Sequence, residues 1–546
     1  MALFWQVSLP AWPQPVVETK ADVRVLIDVS GSMKQNDPHN LRRPALRLLV
    51  GLLPQDTRAG VWTFAQYVNM QTPLGQVDDV WKRTARESSK KIGSPGQFTN
   101  IEQALNRSTE DWSGPPTLFR RSLILLTDGM VDISRSKTIN QASRQRILQQ
   151  ILPRLQQLGV AVHTIALSNN ADHELLHELA RSSGGWYEQV EDSAQLQKVF
   201  LRIFEKVGKP DTLPLKDNRF TVDASVTEAT VLVFRKPDAQ QTQLVPPDGE
   251  PFGMDDAPRS INWHRDKGYD MLTISDPRPG EWKIRAEVDP DNRVMVVTDL
   301  KMQSSELPSR LIQGQSLPFE VSFTDHGRLI SRKDFLQLVT VKAIRRDEAG
   351  ESGPNPLMDD GSGGDVKPGD GIFSMQFEGG DLERGMGELV INAEGQTFVR
   401  EKRYTYEVVP PVKVGAEPGE KGTLLNIFIT PDEQLVDGAT LQTDIWWEDA
   451  SGQQSPLVLT QDANGVSQGM MDIMSFTGIR KIFIKAIGKT RTGESLEFLG
   501  SPLEVEGLKQ PVVGKPVQAK PEPLPPTEEP SPEPVSESQP EDAGQL

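Results

Sequence analysis

From residue 21 to 207 the chain alternates short, nearly unbroken apolar runs with stretches whose apolar positions recur every three or four residues. The runs are Val23–Asp28 (VRVLID), Gly60–Phe64 (GVWTF), Ser122–Thr127 (SLILLT) and Val160–Leu167 (VAVHTIAL). Strands of this kind are those covered on both faces. Between them, Arg42–Leu53, Ile101–Arg107, Gln141–Leu158, His173–Arg181 and Ala194–Lys206 carry the helical period. Strands and helices in turn predict a parallel sheet with helices on both faces, a doubly wound (Rossmann-like) α/β domain over 21–207. After Pro210 the period shortens to two. Runs such as ATVLVF, DMLTIS, WKIRAEV, PFEVSF, LLNIFIT and IRKIFIKAI are separated by Pro/Gly turns. That spacing predicts three all-β, Ig-like sandwiches at 213–303, 304–409 and 411–507.

Composition agrees with several domains, since 546 residues exceed the roughly 250–300 at which one core stops growing. With 44 Gly and 42 Pro the chain is rich in turns, as sandwiches are. The two ends differ from the middle. Residues 1–20 open with an apolar stretch, Ala2–Trp12, that lacks a basic start, and read as the end of an export signal or an ordinary lead-in. Residues 508–546 form an acidic, Pro-rich tail, with ten prolines and seven acidic residues from Pro511 onward, and are expected to be disordered. The formal net charge of −17 supplies no pool of cations for nucleic acid. The absence of Cys removes disulfides and thiolate metal sites together. No window approaches the ~18 uninterrupted apolar residues of a membrane helix.

The candidate chemistry sits at the carboxyl ends of the predicted strands. The first ends Ile27-Asp28-Val29-Ser30-Gly31-Ser32 and the third listed ends Leu126-Thr127-Asp128-Gly129, while Gly96-Gln97-Phe98-Thr99-Asn100 opens a helix between them. In a doubly wound sheet these ends share one crevice, where ligands bind. Asp28, Ser30, Ser32, Thr99 and Asp128 would then offer oxygen only, a donor set that selects Mg²⁺, Mn²⁺ or Ca²⁺ over softer ions. Asp-x-Ser-x-Ser, then a Thr, then an Asp resembles the von Willebrand factor A-type domain with its metal-ion-dependent adhesion site. The resemblance covers about 21–207, and all five positions are filled. It implies a divalent cation at Asp28, Ser30, Ser32, Thr99 and Asp128, with a place left for an Asp or Glu of a protein partner.

Three other patterns compete for attention. His173-Glu174-Leu175-Leu176-His177 matches the HExxH of zinc proteases, but Leu175, Leu176 and Leu179 explain it as a helix packed on the sheet. Asp359–Gly371 holds four Asp and five Gly, which suits a tight turn and, secondarily, Ca²⁺ bound within Asp359–Asp370. Pro279-Gly280-Glu281-Trp282-Lys283-Ile284 reads as a turn entering a strand with a core Trp, and Trp446 and Trp447 as core or surface belt. The expected function is cation-dependent protein binding, of adhesion or scaffold type, by an exported periplasmic or cell-surface protein that is not an enzyme. The alternatives are a cytoplasmic adaptor of an ATP-driven machine and, last, a zinc protease.

Overall fold

The computed structural model describes residues 20–55, 57–116, 118–190, 195–379, 382–419 and 423–508. The lead-in and the acidic tail lie outside them, except Lys20 and Leu508, which belong to the first and last strands. The apolar runs of the amino-terminal third assemble into one six-stranded sheet. Its strands are β1 (Lys20–Asp28), β2 (Arg58–Phe64), β3 (Val68–Gln76), β4 (Phe119–Thr127), β5 (Val160–Ala166) and β6 (Tyr187–Gln189), in the order β3-β2-β1-β4-β5-β6. β1 runs parallel to both β2 and β4, whereas β3 is antiparallel to β2. The helices are α1 (Met33–Asn36), α2 (Arg42–Leu52), α3 (Asp79–Ser89), α4 (Ile101–Ser108), α5 (Lys137–Arg146), α6 (Leu152–Gln157), α7 (His173–Ser182) and α8 (Leu196–Gly208). A π-helical turn, Ile147–Ile151, joins α5 to α6.

Two apolar layers clamp the sheet. Val23, Val25 and Ile27 of β1 pack with Leu46 and Leu49 of α2 and with Phe200 and Phe204 of α8. Leu26 faces the other way, toward Leu105 of α4 and Leu175 and Leu179 of α7. Arg24, also on β1, is fully buried between Asp22 (3.1 Å) and the Trp112 ring, 3.7 Å from its guanidinium carbon. β3 was not anticipated, because this antiparallel edge strand reads VNMQTPLGQ and buries only Thr72. Nor was α3, which buries only Trp81, Ala85 and Ser89, at four-residue spacing, and is capped by Asp78 accepting from Trp81 N.

The rest of the described chain is almost entirely β, packed as sandwiches around three separate cores. Trp282 is buried in the first, stacked on Phe220. The first two units are not independent beads. The two-residue strand Asp211–Thr212 pairs with Arg293–Thr298 of the first and with Val399–Val409 of the second, making one ten-stranded sheet. Strand Leu300–Ser304 pairs with Ser316–Asp325 and so belongs wholly to the second unit.

The α/β head is docked on this β assembly. Leu232, Phe234, Tyr269, Met271 and Met295 of the first unit share a single core with α2, α3 and α8. Arg47 of α2 forms a two-pronged pair with Asp266 at 2.5 and 2.8 Å, and Arg293 meets Glu205 of α8 at 2.7 Å in a buried contact. α7 reaches the third unit through Arg181–Asp432 at 3.2 Å. Tyr269 lies at the centre, fully buried, with its hydroxyl donating to the Pro44 carbonyl. Truncating such a side chain costs about 3–5 kcal/mol. Tyr269→Ala is therefore expected to split the unfolding of the head from that of the first β unit into two calorimetric transitions, where the unaltered chain shows them merged.

Candidate metal centre

The order of strands reverses between β1 and β4: the chain fills one side of β1 with β2 and β3, then returns to lay β4, β5 and β6 on the other. Side chains just beyond the carboxyl ends of β1 and β4 consequently border one crevice. Asp28 is the last residue of β1, and Asp128 follows the last residue of β4.

Four of the five expected ligands are linked by hydrogen bonds there. Ser32 Oγ donates to Asp128 Oδ1 at 2.9 Å and lies 3.0 Å from Ser30 Oγ, while Ser30 N donates to Asp28 Oδ1 at 2.8 Å. Ser32 stands at the start of α1, but its side chain caps nothing, so the capping role open to such a serine is not the one it fills. Thr99 reaches the crevice by another route. Phe98 takes a left-handed φ of 63°. Thr99 then exchanges backbone hydrogen bonds with Asp132, at 2.6 and 3.1 Å. Its hydroxyl comes beside Gly129, where a Cβ would lie 3.5 Å from Thr99 Oγ1. Asp28, Ser30, Thr99 and Asp128 are buried and Ser32 is exposed, so the crevice opens on the Ser32 side.

Three supporting residues escaped the sequence reading. Thr127 Oγ1 donates to Asp28 Oδ2 at 2.6 Å, and Asn36 Nδ2 to Asp128 Oδ2 at 2.9 Å. Arg42, fully buried, donates to the Asp28 carbonyl at 2.9 Å and to Ser94 Oγ at 2.6 Å, tying the β1 loop to the loop before Thr99. That second loop can approach because residue 96 is glycine: a Cβ would fall 2.3 Å from Ala65 Cβ and 2.9 Å from the Val29 carbonyl.

The electrostatics suit a cation. Burial, with Asp128 nearby adding to it, pushes the Asp28 carboxyl up to about 6. Two carboxylates and three hydroxyls with no nitrogen or sulfur form a hard donor set, and the two formal negative charges match one divalent ion. The residues present therefore fit the ion.

The remaining patterns resolve as follows. His173 and His177 both pack on Tyr187: His173 Nδ1 is 2.7 Å from its hydroxyl, and the His177 ring lies 5.5 Å from its ring. Glu174 pairs with Arg144 at 2.7 Å, and Leu175, Leu176 and Leu179 are buried, so the segment is a packed helix. Among the described residues, no third His, Asp or Glu joins the two histidines in a group tight enough to hold a metal. In the Asp359–Gly371 loop, Asp359, Asp365 and Asp370 bring carboxylate oxygens within 4.8 Å of one another, but Asp360 turns to Ser362. Those three carboxylates accept from backbone N–H groups, Asp359 from Gly369, Asp370 and Gly371, Asp365 from Gly361 and Lys367, and Asp370 from Ile372, which is turn chemistry.

Residues 22–202 match the family model of the von Willebrand factor type A domain. With the sheet order and the five residues in place, this segment is a von Willebrand factor type A domain. Three solved structures show the range of resemblance. A von Willebrand factor type A protein from Catenulispora acidiphila is 13% identical over 65% of this chain and 66% of that one, with a TM-score of 0.29. Proximal thread matrix protein 1 from the mussel byssus, solved with a zinc-occupied adhesion motif, is 16% identical over 37% and 50%, with a TM-score of 0.28. Manganese-loaded TRAP protein of Plasmodium vivax is 20% identical over 34% and 73%, with a TM-score of 0.26. The chain thus spans 66% of the first of these and half of the second. No curated protein matches the chain in sequence.

The raised Asp28 carboxyl fixes a sign. Because its folded value of about 6 lies above the ordinary 3.8, the folded state binds the proton more tightly. This contribution is complete below the ordinary value and is lost as pH rises through about 6. In chelator-treated protein at pH 7.5, Asp28→Asn is expected to raise stability by up to about 3 kcal/mol. That advantage should shrink as pH falls toward 4, and thermal denaturation against pH checks it.

Proposed function

We propose that the chain is a divalent-cation-dependent protein-binding protein, of adhesion or scaffold type, that captures an exposed Asp or Glu of its partner at the Asp28–Asp128 crevice. The observation that carries this reading is the oxygen-only cluster at the sheet's switch point, with two carboxylates side by side and one open edge at Ser32. A bound Mg²⁺ or Mn²⁺ supplies an electrophilic point to which a carboxylate of the partner can attach. The chain's own residues do the rest. Thr127 and the Ser30 N–H hold the two oxygens of Asp28 in one orientation, Asn36 and Ser32 hold those of Asp128, and Arg42 pins the loops that carry Asp28 and Thr99. The two carboxylates balance the charge of the ion, but three of the five ligands are weakly donating neutral hydroxyls, so a carboxylate from outside is favoured over the waters that would otherwise complete the shell.

The β units would serve as a spacer and secondary contact surface. The apolar opening residues and the Pro-rich acidic tail support an exported setting, periplasmic or cell-surface. Digestion of intact cells with added protease tests that placement: resistance that persists after the outer envelope is opened would assign the protein to the cytoplasm.

The central test is calorimetry of Mg²⁺ and Mn²⁺ into chelator-stripped full chain. One saturable site is expected, abolished in Asp28→Ala and weakened roughly tenfold or more in Thr99→Ala. Metal-loaded protein is then passed over immobilised peptides that differ only in Asp/Glu against Asn/Gln. Retention by the acidic set alone, reversed by EDTA, is expected. Equal retention of both sets in EDTA would refute metal-bridged capture.

A further inference from the structure

A second concave site lies at the junction of the second and third β units. The cleft has a volume of about 290 Å³ and is lined by Gln313, Gly314, Trp446, Lys485, Glu497 and Leu499 among others. One wall is the outward face of the third unit's five-stranded sheet. Trp446, on strand Gln442–Glu448, stands opposite Phe483, on strand Thr477–Lys489, and the two rings stack 5.5 Å apart at 8°. On the neighbouring strand Leu499 is 60% exposed, so an apolar strip continues past the aromatic pair. Lys485 and Glu497 form an ion pair of 2.8 Å in the same cleft.

The other wall is the Gln313–Gly314 turn of the second unit, fixed in place by backbone contact. Glu497 N donates to the Gly314 carbonyl at 3.0 Å, and Gln315 forms a β-bridge with Leu496. Gly314, at φ +86°, sits so close that a Cβ would lie 2.0 Å from the Glu497 carbonyl. The cleft is therefore a built feature of the junction.

These features restrict the ligand. A purely apolar molecule would cover the Lys485–Glu497 ion pair without satisfying it. A charged one would meet the like member of the Lys485–Glu497 pair. An extended peptide recognised by strand addition needs a free backbone edge, and here Gly314 already occupies the Glu497 N–H. A neutral sugar ring satisfies all three conditions, because its C–H face packs on aromatic planes while its hydroxyls both donate and accept around the rim. We infer that the cleft between the second and third β units binds a neutral saccharide, with a ring against the Trp446–Leu499 strip and hydroxyls on the Lys485–Glu497 pair.

The site needs no metal, which separates its test from that of the adhesion-type centre. Cellotriose, maltotriose and chitotriose are each titrated into the full chain in EDTA and followed by saturation-transfer NMR. At least one is expected to bind with a Kd below about 10 mM. Trp446→Ala should weaken it by roughly tenfold or more. Since that substitution also removes the partner of Phe483, Leu499→Glu serves as a second variant: it changes an exposed side chain and should weaken binding while leaving the melting temperature unchanged. Absence of saturation transfer from all three sugars overturns the inference. So does binding that both variants leave intact.

Discussion

Two carboxylates forced into one buried crevice are the constraint on which the head is arranged. The sheet order places the ends of β1 and β4 side by side, and with them Asp28 and Asp128. Burying a carboxylate is costly, and a second charge beside it adds to the cost, so the carboxyl of Asp28 holds its proton up to about pH 6. Everything nearby partly relieves that tension. Thr127, Ser30, Ser32 and Asn36 each give one hydrogen bond to a carboxylate oxygen, and the Arg42 guanidinium lies behind the Asp28 backbone. None of them neutralises both charges. A divalent ion would, and that is why the arrangement suits one.

The same arrangement answers a puzzle of charge. A chain of net charge −17 repels acidic partners at long range. Screening shortens that repulsion to about 8 Å at physiological ionic strength. Within that distance the open coordination position of a bound ion would be the local attraction, so under the proposed function contact would depend on the ion and not on the overall field. Discrimination between partners would then rest on where an acid is presented, and on whatever else the β units touch.

Much of the head was legible from the residues. Asp28 and Asp128 follow apolar runs directly, so their place at strand ends follows once the runs are read as strands. Thr99 was legible as the opening of a helix between the strands, but the manner of its approach was not, because that depends on the left-handed Phe98 and the close packing at Gly96. Thr127, Asn36 and Arg42 were hidden for a different reason. Each has an ordinary local role, as strand end, helix residue or apparent surface cation, and only the fold reveals which oxygen it faces. The β region shows the same division. Alternation identified the sandwich strands, yet the joining of the first two into one sheet rests on only Asp211–Thr212. A faint signal of docking existed in YDMLTIS: Leu272 and Ile274 fill the sandwich core while Tyr269 and Met271, on the opposite face, are also apolar. An antiparallel strand apolar on both faces must be covered twice, and the second cover is the head.

That cover gives helix α2 two duties. At its first residue, Arg42 holds the Asp28 carbonyl, and one and a half turns later Arg47 grips Asp266 of the first β unit. The whole helix is about 16 Å long, and its apolar side is locked between the sheet and α8. A load applied at the crevice by the proposed partner would therefore pass along a short, buried, hydrogen-bonded path into the ten-stranded sheet, without crossing a flexible linker. A head on a loose tether would reorient under the same load. Here the direction in which the crevice faces is fixed by the β assembly, so under the proposed function the relative placement of head and sandwiches would be part of the binding surface.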